Sequence, residues 1–354
     1  MNHPDSNLCT SSEIGDVESV RSLLEAGADV RAYDSECLCR SSENGHVEVV
    51  RLLLEAGANV NARDSLPLCM SSVNGHAEVV KLLLATGANY NRSYPLHASS
   101  LMGHAEVIKL LLEAGTNVHV RDSVSLCNGS LNGHTEVVKL LLNAGADVNA
   151  EDSFPLRLSA ESGHVEIVKL LLDAGANIHA RDSECLCTSS KRGHVAVVKL
   201  LLDAGADVHV RASAPICLSS QNSHVDVVRF LLEADADVHA RDLFPLRVSS
   251  QNGHVDLVKL LLAKGAAWKG EKPREIIPKP SIRSLLVATF TLRRWVRRCL
   301  MRLRLRRIAL MHLMQRVCIE LQYTPPKGPF KGGIKYIESK ESFHERAFTR
   351  ELFG

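Results

Sequence analysis

Residues 46–64 read HVEVVRLLLEAGANVNARD, and residues 164–182 read HVEIVKLLLDAGANIHARD. The phrase recurs behind a Gly-His pair at Gly45, Gly75, Gly103, Gly133, Gly163, Gly193 and Gly253, with Ser223-His224 filling the remaining slot. Every interval is 30 residues except the 28 between Gly75 and Gly103. A fixed period of this length is the signature of a repeat architecture. A degenerate copy at 14–34, IGDVESVRSLLEAGADVRAYD, brings the number of units to nine.

Each unit is physically legible. EVVKLLL is a helix that is apolar on more than one face, so it has to be covered on two sides. The Gly that follows LLxxA ends it, because glycine tolerates positive φ. Upstream, PLCMSSVN (67–74) reads as a short first helix opened by Pro67, whose missing N–H costs nothing in a first turn. Serine pairs at 71–72, 99–100, 219–220 and 249–250 supply small side chains where helices approach closely. One helix pair cannot bury its own apolar face, whereas a stack of pairs can.

Composition agrees. Apolar residues make up 45% of the 354 but aromatics only 4%, so the core is built from Leu, Val and Ala, as in stacked helices. The net charge of +2 conceals an asymmetry: residues 1–267 hold 22 Lys+Arg against 33 Asp+Glu (net −11), and 268–354 hold 20 against 7 (net +13). No apolar run approaches the ~20 residues of a membrane span; SLLVATFTL (284–292) is half that and runs into arginines. The start, MNHPDSNLCTSSE, has neither the basic nor the apolar region of a secretory signal. These features predict an intracellular protein, not secreted, whose ten cysteines are reduced thiols.

The recurring G-H-x-E-V-V-K-L-L-L-x-x-G-A-x-V-N-A-R-D resembles the ankyrin repeat, over residues 5–267. The family unit is about 33 residues long and opens with Asp-x-x-Gly-x-Thr-Pro-Leu-His. Here Asp64 is followed by Ser65-Leu66-Pro67-Leu68-Cys69, three residues short, and only His97 keeps the family's His. What is missing is the turn of the β-hairpin finger. Shortened units with Arg or Cys at the His position look like the ankyrin arrays of large DNA viruses. The resemblance implies an all-α, ankyrin-type solenoid of about nine stacked helix pairs with truncated fingers, followed by a basic helical tail. The repeats fall at about 5–33, 34–63, 64–91, 92–121, 122–151, 152–181, 182–211, 212–241 and 242–267. A linker (268–280), a basic helix (281–323) and a Pro/Gly turn with a short polar helix (324–354) follow.

No catalytic constellation is visible. Nucleophile elbows, Walker loops and dinucleotide fingerprints are absent. Eight histidines belong to the Gly-His ladder, and His119, His179, His209 and His239 replace the Asn of VNA, a pattern that copying a unit produces. Cys9, Cys39, Cys69, Cys127, Cys187 and Cys217 all occupy the family's His position, with Cys37 and Cys185 two residues earlier. Equivalent atoms in neighbouring repeats sit ~10 Å apart, too far for a disulfide or a four-ligand metal site. The cysteines therefore read as small buried hydrophobes, and no cofactor, metal or small-molecule substrate is expected.

Positions that differ between copies carry the individuality. One set precedes the Pro site: Glu36, Leu66, Tyr94, Val124, Phe154, Glu184, Ala214, Phe244. The other follows the small pair: Glu43, Val73, Leu101, Leu131, Glu161, Lys191, Gln221, Gln251. In ankyrin proteins such positions line the concave groove that grips partners; the alternative is neutral drift on a solvated face. The partner-binding candidates are Leu66, Val73, Tyr94, Leu101, Val124, Leu131, Phe154, Glu161, Glu184 and Lys191, with a hot spot centred on Tyr94 to Leu131. The expected function is non-catalytic binding of another protein by a monomer.

The tail offers a rival. Arg293, Arg294, Arg297, Arg298, Arg302, Arg304, Arg306 and Arg307 crowd a predicted helix with no acid among them. Such a helix can cap the array, contact nucleic-acid phosphates, or dock on an anionic membrane or calmodulin-like partner. Some viral ankyrin proteins carry a C-terminal segment that recruits a ubiquitin ligase, which makes a substrate-adaptor role a further alternative; PREIIPKPSIRSLL (273–286) has only a loose likeness to it.

Overall fold

A computed structural model of the chain describes residues 4–90, 94–119, 124–266, 280–284, 286–289 and 301. Among the described residues eighteen array helices follow one another, from Pro4–Ile14 to Val255–Ala263, and there is no strand. They belong to two compact units, Met1–Ser189 with Ala196–Asp207, and Ser190–Val195 with Val208–Gly354. Within a repeat, a first helix such as Ala62–Val73 packs on a second such as Ala77–Ala85. Within each unit each kind also packs beside its counterpart in the next repeat, as Ala62–Val73 does on Tyr94–Met102 and Ala77–Ala85 on Ala105–Glu113.

The second helices bury Val79, Val80 and Leu83, or Val107, Ile108 and Leu111, on two sides at once, as a doubly apolar helix requires. The first helices contribute Leu68, Leu96, Leu126 and Leu156, each fully or almost fully buried. Burying a leucine contributes about 1.5–3 kcal/mol, and the period places one such residue in each layer. The first serine of a pair donates to a carbonyl three or four residues back, as Ser71 Oγ does to Pro67 O at 2.8 Å, Ser99 Oγ to Pro95 O at 2.7 Å and Ser249 Oγ to Leu246 O at 3.1 Å. The second serine is equally buried, and Ala160 takes its place in the sixth repeat with no exposure.

The Gly-His pair links one repeat to the next. His76 Nε2 donates to Glu43 O at 2.9 Å, and its ring lies against Gly45, where a Cβ would come within 2.6 Å of Nδ1. Gly45 also holds φ +76°, so a side chain there is excluded twice. The eighth repeat departs from this rule: Ser223 takes φ 63° at the Gly-His site, and Asp235 takes φ 65° where other repeats place Gly before the loop. A non-glycine residue in the left-handed region costs about 1 kcal/mol. The double substitution Ser223→Gly/Asp235→Gly is therefore expected to raise unfolding free energy by about 1–2 kcal/mol, seen as a higher urea midpoint with unchanged slope.

The missing fingertips are replaced by a tight left-handed turn. Arg63, Asp64 and Ser65 take φ 47°, 64° and 67°. The same triplet conformation recurs at 33–35, 151–153, 181–183, 211–213 and 241–243. The middle residue is Asp in five of these six, the residue type besides Asn and Gly that tolerates this region best. Hydrogen bonds offset the strain. Ser65 N–H donates to Asn61 O at 3.2 Å and Ser65 Oγ to Asn61 Oδ1 at 3.0 Å, while Asn89 N–H of the next repeat donates to the same Oδ1 at 2.7 Å. Right-handed helix resumes after Ser65 with Pro67 in its first turn, where the sequence placed it.

At the start of the tail, residues 280–284 and 286–289 are helical, and Ile282 and Leu286, one turn apart, are buried. The linker 268–279 and all eight arginines from Arg293 to Arg307 lie outside the described residues, as does 324–354. No helix among the described residues is long and apolar enough to cross a membrane.

Candidate functional site

The first helices display the variable positions. In Tyr94–Met102, residues Pro95, Leu96, Ser99 and Ser100 are buried, leaving Tyr94 (56% exposed), Leu101 (45%) and Met102 (54%) on the outside. Tyr94 and Leu101 are two turns apart on one face, about 10 Å along the axis. In the next first helix, Val124–Asn132, Leu131 is 42% exposed and Val124 is half-buried. Leu66 and Val73 on one side, and Phe154 and Glu161 on the other, are half-buried in the same rows. Since the first helices of repeats three to six pack side by side, these residues form one field.

The backbone beneath it is held. His134 Nε2 donates to Leu101 O and His164 Nε2 to Leu131 O, both at 3.0 Å, so the Gly-His ladder anchors one row of the field. His97, the one residue that retains the family's His, hydrogen-bonds through Nδ1 to Ser125 Oγ at 2.7 Å.

Charge closes the field at both ends. On the N-terminal side Arg40 pairs with Glu13 and with Glu36 (Nε to Oε1, 2.8 Å), and Arg63 also pairs with Glu36. On the other side Arg157 pairs with Glu184 at 3.4 Å and lies over the Phe154 ring at 4.4 Å. Glu184 is half-buried and sits in the same unit as the field. Lys191 is exposed and belongs to the second unit, where its carbonyl accepts from His224 Nε2 at 3.0 Å.

Met102 is a residue that the sequence reading did not single out. It stands where five other repeats carry Asn (Asn44, Asn74, Asn132, Asn222 and Asn252), whose side chain in some of them bonds the preceding repeat, as Asn74 Nδ2 does to Glu43 O at 3.0 Å. The thioether makes no such bond and adds apolar surface beside Leu101.

The cysteines are corrected at one pair. Cys9 and Cys37 are joined by a disulfide, not free thiols. The ~10 Å spacing applies to equivalent positions, whereas Cys37 is offset by two residues, which turns it toward Cys9 of the preceding repeat. Cys39, Cys69, Cys127, Cys185, Cys187 and Cys217 are buried. Burial pushes the thiols of Cys127 and Cys185 up to about 12 and that of Cys39 to about 11. Iodoacetamide at mildly alkaline pH is expected to leave Cys127 and Cys185 unmodified in the folded chain and to modify both in urea, read by peptide mapping. Rapid labelling of the folded chain contradicts this.

Among the described residues no group of three or more His, Cys, Asp or Glu could hold a metal ion. The crevice among Asp152, Leu156, Arg157, Asn177, Arg181 and Glu184 encloses about 10 Å³, too little for a metabolite.

Comparison with known proteins agrees with this geometry. The family model described as ankyrin repeats (3 copies) matches residues 3–64, 63–122, 126–182 and 185–271. Among solved structures, the ankyrin repeat domain of human ASB11 aligns at 27% identity with a TM-score of 0.52, covering 56% of this chain and 98% of that one. No curated protein matches the chain in sequence. With the family model spanning nearly every repeat and the helix pairs stacked as described, the chain belongs to the ankyrin-repeat family.

Proposed function

We propose that the chain is a non-catalytic scaffold that holds a partner protein on the helical face of repeats three to six, the concave face in ankyrin terms. Ankyrin repeats are protein–protein interaction modules, and that much follows from the family. One observation supports the finer reading: Tyr94, Leu101, Met102 and Leu131, four of the large exposed apolar side chains among the described residues, fall on two adjacent first helices. Scattered exposed apolar residues need no explanation, but a cluster of this kind is what a hot spot requires. Glu161 and Glu184 complete the face, and Lys191 extends the same row of positions in the sequence. The short units with Cys or Arg at the His position support a role inside a host cell, on host proteins.

The rivals act through the tail: contact with nucleic acid or an anionic membrane through Arg293–Arg307, or recruitment of a ubiquitin ligase. Affinity capture with the full chain, and with all eight arginines changed to glutamine, separates them. Retention of the same partner by the glutamine variant supports the array. Loss of capture, with recovery of nucleic acid or ligase subunits by the unaltered chain alone, rejects it.

A further inference from the structure

Repeat one is thinly packed. Its second helix, Val17–Glu25, buries Val20 alone, where the second helices Val47–Glu55 and Ala77–Ala85 each bury three residues. Ser19 and Ser22 stand where the second repeat carries Val49 and Leu52, and Ser22 is exposed. The outer side of the unit is therefore polar. Its apolar side meets the second repeat, Pro4–Ile14 packing on Ala32–Glu43 and Val17–Glu25 on Val47–Glu55.

Non-covalent ties to the second repeat gather at the ends of the unit. Glu13 O accepts from His46 Nε2 at 2.9 Å and from Asn44 Nδ2 at 3.3 Å, and the Glu13 carboxylate pairs with Arg40. At the other end Arg31 Nε donates to Gly57 O at 2.9 Å. Between them the Cys9–Cys37 bond joins the middle of one first helix to the middle of the next, across a sequence separation of 28 residues. A cross-link over that length removes freedom from the opened chain and shifts the opening equilibrium by about two to three powers of ten. A terminal unit that meets one neighbour is where such a shift decides between closed and open.

We propose that Cys9–Cys37 is a redox latch: closed, it fastens repeat one to repeat two, and opened by a dithiol reductant, it lets repeat one unfold locally while the repeats that follow keep their fold. The latch is independent of the groove reading above. One thiolate of the dithiol attacks Cys9 Sγ, since Cys9 keeps 7% of its surface exposed and Cys37 none, and Cys37 leaves as a thiolate that takes up a proton. The second thiol of the reductant then attacks its own sulfur in the mixed disulfide, releasing Cys9 as a thiol and the reductant as a cyclic disulfide. Two electrons pass from the dithiol to the protein. A low-molecular-weight disulfide closes the latch again by the reverse exchange and leaves as two thiols. Cys39, two residues from Cys37, is buried with its thiol pushed up to about 11, so it does not compete for the bond at neutral pH.

The test follows hydrogen exchange of the full chain by mass spectrometry, after glutathione disulfide and after dithiothreitol. Dithiothreitol is expected to speed exchange in Val17–Glu25 at least about tenfold, to leave Val165–Asp173 unchanged, and to be reversed by glutathione disulfide. Cys9→Ala/Cys37→Ala is expected to exchange fast in that helix with or without reductant. Equal exchange in the oxidised and reduced chains overturns the latch, as does acceleration that reaches Val165–Asp173 equally. A response to dithiothreitol that survives in the alanine variant assigns the effect to other cysteines and overturns it too. A bond that resists dithiothreitol until urea unfolds the chain is a permanent staple, and absence of a Cys9–Cys37 cross-linked peptide after glutathione disulfide removes the latch altogether.

Discussion

Leu101→Glu combined with Leu131→Glu is expected to weaken capture of the partner by at least about a hundredfold while the far-ultraviolet circular dichroism and melting temperature stay unchanged. Both side chains are more than two-fifths exposed, so the folded array loses little packing when they change. In the complex both enter a desolvated apolar contact, where a buried unpaired carboxylate is expensive. Hot-spot residues cost about 2 kcal/mol or more when removed, and two of them account for the expected loss. Lys139→Glu, on the second helix Thr135–Asn143, serves as the control and is expected to leave capture intact. A groove variant that binds as well as the unaltered chain, by calorimetry with the purified partner, contradicts the assignment.

The second large effect lies in the core. Leu111 in the second helix of the fourth repeat has no exposed surface. Leu111→Ala is expected to cost about 2–5 kcal/mol, because the layer cannot collapse around the void without moving both neighbouring helices. In a stack each repeat is held by its neighbours, so the loss falls on two interfaces at once and uncouples the first three repeats from the fifth and sixth. Urea unfolding should then show an earlier midpoint and a broadened or two-step transition. A single transition displaced by less than about 1 kcal/mol contradicts the nearest-neighbour account.

Much of this is readable in the amino-acid sequence itself. The 30-residue period, Pro67 in a helical first turn and the Gly-His connector each follow from a local rule that the copies repeat, and repetition within one chain separates framework from surface. Tyr94, Leu101 and Leu131 were legible as variable positions for the same reason, and their exposure is what distinguishes them from the half-buried Leu66, Val73 and Phe154. The misses have physical causes. The pairing of Cys9 with Cys37 escaped because the spacing argument compared equivalent positions, and two residues of offset are enough to turn one side chain toward the other. The left-handed turn at Arg63–Ser65 escaped because a deletion tells which residues are gone but not which path the remaining backbone takes. Met102 escaped because it occupies a framework position, where an exception carries more than the rule.

The central claim is that a partner sits on the first-helix face of repeats three to six. A photo-crosslinking phenylalanine analogue placed at Ala98, between Tyr94 and Leu101 on that face, tests it against the same residue placed at Lys139 on a second helix. Irradiation of the complex should yield a covalent adduct with the partner from position 98 and none from position 139. Adducts from position 139 alone would contradict the account.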